Sequence, residues 1–171
     1  MKIYRRHEWG SRVLVPKVNQ DPRYVGRIFV HWTESGSRSL NRLSRQKEHM
    51  RELQNYHMDE HGWRDIGYHF VVFQPWGSLL AARVFEGRSV KSIPAAQENN
   101  NTETIAIAVV MKEGDPLRLA TKLKIRLLVK HLRSDVIHHM VPVYVHGDVN
   151  ETTCPGPKLQ EWVHKTFRMR R

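Results

Sequence analysis

Arg27-Ile28-Phe29-Val30-His31-Trp32 is a short run of apolar, largely β-branched and aromatic residues with a histidine near its end, and it reads as a buried strand. Ser35-Gly36-Ser37 then breaks the chain, and a polar helix is expected from about Ser39 to Asp59, with Leu40, Leu43, Met50 and Leu53 near one face and Gly62 as its stop. Tyr68 to Gln74 reads as a central strand, and Pro75-Trp76-Gly77 as a turn into a further strand from Ser78 to Val84. Residues 86–103 read as loop, and Thr104 to Met111, dominated by Ile and Val, as another buried strand. Asp115-Pro116 pairs an N-cap residue with a first-turn proline, which predicts a helix running to about Arg133. Val143-Tyr144-Val145-His146 is a last short strand, again ending in histidine, and Pro157 opens a helix to about Arg168. Residues 1–26 are punctuated by Gly10, Pro16, Asp21-Pro22 and Gly26 and are expected to be irregular. Strands alternating with helices predict a mixed α/β fold, with a central mixed β-sheet of about five to six strands flanked by helices. With no repeat and no linker, residues 1–171 are expected to form a single domain, ending in a basic tail at 165–171.

Length and composition fit that reading. A chain of 171 residues with 40% hydrophobic residues and a mean hydropathy of −0.58 is large enough for one core and polar enough for water. Lys and Arg number 28 against 17 Asp and Glu, a net charge of +11 with a pI near 10.2. Such a field attracts polyanions, an anionic cell envelope among them; a solvated helix face and a frayed terminus account for the same excess. No zinc-finger, RNP or helix-turn-helix signature accompanies it, so specific nucleic-acid binding is not expected. No apolar stretch is long enough to span a bilayer, and the first residues lack the apolar core of a signal peptide. A cytoplasmic site of synthesis and a monomer are the expectations. One cysteine, Cys154, excludes an internal disulfide.

The chemistry is carried by three residues far apart in sequence. His31 and His146 each stand at a strand end, where side chains project from the sheet edge and sites are commonly built. Eight residues after His146 comes Cys154, in Thr152-Thr153-Cys154-Pro155-Gly156. Two imidazoles and a thiolate make a three-ligand zinc set with the fourth position open, the pattern of catalytic zinc. Zinc brings the pKa of a bound water to about 7 and polarises a carbonyl oxygen, both of which serve amide hydrolysis. With 11 histidines in the chain, coincidence of structural or surface residues is the alternative.

Three blocks, Val30-His31-Trp32-Thr33, Asp65-Ile66-Gly67-Tyr68-His69-Phe70-Val71-Val72 and His146-Gly147-Asp148-Val149-Asn150-Glu151-Thr152-Thr153-Cys154-Pro155-Gly156, resemble in order the signature blocks of the type 2 N-acetylmuramoyl-L-alanine amidases, a family that includes phage lysozyme-type amidases and peptidoglycan recognition proteins. Arg6-His7-Glu8-Trp9-Gly10 and Phe85-Glu86-Gly87-Arg88 add supporting matches, so that the resemblance runs from about residue 6 to 160. It implies one catalytic Zn2+ on His31, His146 and Cys154 at the sheet edge. It also implies catalytic roles for Tyr68, beside the attacking water, and Thr152, facing the scissile carbonyl; core packing is the alternative for Tyr68.

Two departures stand out. Some relatives carry a glutamate base where this chain has Ala108, and Ile93-Pro94-Ala95-Ala96-Gln97 replaces a usual Gly-Ala-His segment. His69 is expected to face away from Tyr68 in a structural role, and His138-His139 to be surface residues. Trp9, Trp32, Trp63 and Trp76 are candidates for stacking on sugars or for packing.

The resemblance thus implies an amidase that cuts between the muramic-acid lactyl group and L-alanine of peptidoglycan. The expected setting is a phage or prophage endolysin that reaches the wall after membrane permeabilisation. A peptidoglycan-binding recognition module, a regulatory binder of RNA polymerase and a cytoplasmic muropeptide-recycling amidase are the competing readings; the cysteine at the third ligand position argues for an enzyme.

Overall fold

The structure, a computed structural model, describes residues 1–167 except 14, 37 and 77–80. Among the described residues six strands form one mixed sheet: β1 (Ile3–Tyr4), β2 (Arg27–Trp32), β3 (Phe70–Phe73), β4 (Arg83–Glu86), β5 (Thr104–Val110) and β6 (Val143–Val145). Their order is β1-β4-β3-β5-β2-β6. Only β3 and β4 pair antiparallel; the other neighbours are parallel. The helices are α1 (Arg6–Trp9), α2 (Leu43–Asn55), α3 (Leu119–His131) and α4 (Pro157–Phe167).

β5 is buried along its whole length, as the unbroken Ile/Val/Ala run requires of a strand covered on both faces. Side chains alternate across the sheet. Val30, Trp32, Ile107 and Val109 join Ile125, Leu128 and Val129 of α3 and Leu159 and Val163 of α4 in the larger core. Val71, Phe73, Phe85 and Val110 point to the other face, against Met50 of α2 and Trp9. His31 and Ala108, in register with each other, therefore project toward the α2 side.

The expected mixed α/β fold is the observed one, and several local expectations are corrected. The first residues are not all irregular. Ile3 pairs with Val84, and Trp9 is buried with its Nε1–H donating to Glu86 O at 2.7 Å. Arg6 meets Asp65 at 3.0 Å in a nearly buried ion pair. These are long-range pairings, which local periodicity does not register. Asp115 does not cap α3: its carboxylate accepts from Lys112 N–H at 3.1 Å, and the helix begins four residues later. Gln74, just past β3, instead accepts from Arg118 N–H and the Thr121 hydroxyl.

The buried face of α2 is completed by Gln46 and Gln54, not by leucines alone. Each amide is satisfied, Gln46 by Leu40 O and Ala81 O, Gln54 by Asp65 Oδ1, and burial is then tolerated. Both α2 and α3 run on into π-helical turns, at Tyr56–Glu60 and Leu132–Ile137. The strand expected from Ser78 is β4, from Arg83. The turn at Gly77 with residues 78–80, the break at Ser37, and the tail beyond Phe167 lie outside the described residues. No helix among the described residues is long and apolar enough to cross a membrane.

Candidate metal centre

The loop after β6 returns on itself. Val149 and Asn150 N–H donate to His146 O, and Gly147 N–H donates to Cys154 O at 3.0 Å, so the eight-residue separation of His146 from Cys154 closes into a short span. The Cys154–Pro155 peptide is cis. Gly156 follows with φ +79, and a Cβ there would lie 2.5 Å from the Trp32 ring. Only glycine lets the loop lie against that indole. Trp32 N–H in turn faces Cys154 Sγ at 3.5 Å, which ties the sulfur to the end of β2.

One ligand atom from each of His31, His146 and Cys154 lies within 4.8 Å of the others, so the three could hold a metal ion. Cys154 Sγ is 3.8 Å from His31 Nδ1, and the two imidazole rings are 4.9 Å apart. A tetrahedral zinc with bonds of about 2.0–2.3 Å separates its donors by roughly 3.3–3.8 Å, so the cluster fits such an ion after a small contraction.

The donors' chemistry fits as well. Gln97 Nε2 donates to Thr104 Oγ1 and Asn100 O, which identifies Gln97 Oε1 as the acceptor facing His31 Nε2 at 3.1 Å. His31 therefore carries its proton on Nε2 and presents a lone pair on Nδ1 toward the sulfur. Burial, with His146 beside it, lowers its pKa to about 3, so the ring is neutral and able to ligate. Burial also lowers the pKa of His146 and lifts that of the Cys154 thiol to about 11. A buried sulfur of that kind ionises when a cation stands beside it.

Tyr68 stands next to this cluster, its ring 5.5 Å from that of His31. Burial, reinforced by Cys154, raises its phenol pKa well above the usual value, so it stays protonated. It is then a hydrogen-bond donor. Ala108 places a methyl beside His31 and supplies no base. Thr152 is exposed, and its Oγ1 accepts from Cys154 N–H at 3.2 Å, leaving its own proton free to donate. A groove of about 610 Å³ reaches the cluster at His146 and is lined as well by Thr152, Gln97, Asn150 and Trp63 among others.

The remaining expectations sort by burial and partners. His69 is wholly buried between Ser92 O and Ala106 N–H, a structural position. His138 and His139 turn to different carbonyls, Ser134 O for the first and Ile137 O and Val25 O for the second. Trp9 and Trp32 are buried, Trp63 borders the groove, and the Trp76 ring meets the Arg38 and Arg118 guanidinium groups at 4.8 and 4.4 Å from its centre. The sequence reading missed Gln97 as the partner of His31. It stands where the resemblance breaks, and that break was the available signal.

No protein-family profile matches the chain. It is 31% identical over 175 residues to a human N-acetylmuramoyl-L-alanine amidase, a match covering 96% of this chain and 29% of that protein. The chain thus spans under a third of that relative's length. It is 28% identical to peptidoglycan-recognition protein SC2 of Drosophila melanogaster, across 92% of this chain and 82% of the other. Among solved structures, bumblebee PGRP-SA superposes with a TM-score of 0.83 at 24% identity, covering 98% of this chain and 95% of that one. With these sequence and fold likenesses on top of its three signature blocks, the chain belongs to the superfamily of type 2 N-acetylmuramoyl-L-alanine amidases and peptidoglycan recognition proteins.

Proposed function

We propose that the chain is a zinc-dependent N-acetylmuramoyl-L-alanine amidase acting on bacterial peptidoglycan. The observation that carries this reading is the convergence of His31, His146 and Cys154 within 4.8 Å, with Tyr68 alongside and His146 on the wall of a groove. Zinc held by these three donors supplies a Lewis acid that polarises the scissile carbonyl and acidifies water.

The chain's own residues do the rest. Gln97 holds His31 in the ligating tautomer. The closed loop from His146 to Gly156 fixes the sulfur and the second imidazole as one unit. The groove orients the stem peptide with its lactyl amide over the cluster, and Trp63 offers a ring face at the groove's edge. Tyr68 and Thr152 each donate a hydrogen bond toward the carbonyl oxygen as negative charge builds on it. Water adds across the amide: the lactyl carbon gains the hydroxyl and leaves as a carboxylate, and the L-alanine nitrogen takes the proton and leaves as an amine. Without a carboxylate at position 108, water relays the proton to the leaving amine.

The setting we propose is lysis of a bacterial wall, as by an endolysin. The net charge of +11 supports it, since a cationic lytic enzyme concentrates at an anionic envelope. Mass spectrometry of digested sacculi tests the reaction. Free stem peptides with an L-alanine amino terminus, abolished by a chelator and restored by zinc, are expected. Binding to sacculi without release of peptide would leave a recognition module and end the amidase reading.

A further inference from the structure

α3 covers one face of the sheet, and its outer surface is unlike that of a solvated helix. Leu119, Leu123 and Leu127 follow one another at four-residue intervals and form a single stripe. They are 68%, 50% and 48% exposed, and Met140, 68% exposed, extends the apolar strip beyond the helix. Flanking the stripe are Lys122, Arg126 and Lys130, and no acidic residue occurs between Asp115 and Asp135. Beside the stripe lies an open groove of about 880 Å³, lined by Leu123, Leu127, Arg126, Lys130, Met140 and Phe167 among others.

We propose that this face of α3 docks on anionic phospholipid bilayers. A strip of half-exposed leucines rimmed by long cationic side chains matches a membrane surface: the apolar residues enter the acyl boundary while the ammonium and guanidinium heads stay among phosphates. A second copy of the same face is disfavoured, because stacking it on itself sets cations against cations with no acid on α3 to answer them. Placement adds to the case. α3 packs against Ile107 and Val109, whereas His31 and Ala108 project from the opposite side of the sheet. A protein seated on a bilayer through α3 keeps the metal cluster off that surface, facing whatever lies beyond. This inference does not rest on the amidase reading, and its test contains no peptidoglycan.

The test is co-sedimentation of the full chain with vesicles of phosphatidylglycerol and phosphatidylcholine, compared with phosphatidylcholine alone, at low salt. Partition onto anionic vesicles is expected to exceed that onto neutral ones by at least about tenfold. Arg126→Gln with Lys130→Gln lowers it by about 25-fold, at about fivefold per cation. Leu123→Ser with Leu127→Ser lowers it by about tenfold. Arg42→Gln with Arg45→Gln, exposed at the start of α2, leaves it unchanged. All six positions are solvent-facing or half-exposed, and circular dichroism melting verifies that each variant is folded. Equal partition on both vesicle types, no effect of the leucine pair, or an equal loss from the α2 pair would overturn the proposal. So would a self-associating species that the α3 variants dissolve without any vesicle binding.

Discussion

Replacing Gln97 by leucine tests how the metal centre is oriented. The Gln97 side chain is buried, and its carbonyl oxygen faces His31 Nε2 at 3.1 Å, with the imidazole only 1% exposed. Leucine nearly matches glutamine in volume, so the cavity term is small. Thr104 Oγ1 keeps its bond to Asn101 O, so the main loss falls on His31. An N–H left unpaired in the interior costs about 1–3 kcal/mol. The ring escapes that cost by moving its proton to Nδ1, the nitrogen that faces Cys154 at 3.8 Å, and so surrenders the lone pair a metal needs. Loss of such an outer partner weakens metal binding by about 10–100-fold, equivalent to roughly 1.4–2.8 kcal/mol, the same size as the stability cost. Gln97→Glu keeps an acceptor at that place and retains most of the affinity. Zinc affinity measured by competition with a chromophoric chelator, beside urea denaturation of the metal-free protein, separates the two effects. Zinc affinity of Gln97→Leu within about threefold of wild type would refute the reasoning, since tautomer control predicts at least about tenfold.

Tyr68→Phe is expected to lower kcat on peptidoglycan by about 100–1,000-fold with zinc content unchanged, the cost of one hydrogen bond to the developing oxyanion; unaltered turnover would assign Tyr68 to packing alone. Stability should fall on acidification. His69 is wholly buried and its pKa is lowered to about 4 from 6.5, so between those values the unfolded chain takes a proton that the native chain refuses. The contribution is complete above about pH 6.5 and is lost as pH drops toward 4, about 3 kcal/mol in all; His57, lowered to about 4, acts in the same sense. Urea midpoints that stay level across that window would contradict it. Gly87→Ala places a Cβ 2.3 Å from Tyr68 O, a backbone atom that cannot turn aside, and should cost about 1–3 kcal/mol by thermal melting while displacing Tyr68; an unchanged midpoint would show that β3 and β4 shift freely.

The strands were legible because β2, β3, β5 and β6 are short apolar runs bounded by polar or turn-forming segments, a signal each carries within itself. So were the three metal-ligating candidates, since a histidine at a strand end and a Cys-Pro-Gly turn announce their place without knowledge of partners. Other features depended on contacts between distant segments. The pairing of Ile3 with Val84 and the burial of Trp9 under Glu86 O gave structure to a stretch whose own residues signal a loop. Gln74 took over the start of α3 from Asp115 because the end of β3 lies against it in space. Gln97 became the partner of His31 across 66 residues of chain, and Gln46 and Gln54 became core residues because carbonyl and carboxylate acceptors happened to meet them. Periodicity and turn chemistry are written into neighbouring residues and can be read one segment at a time. A hydrogen bond, an ion pair or a donor tautomer belongs to two segments at once, and only packing of the whole chain decides which two meet.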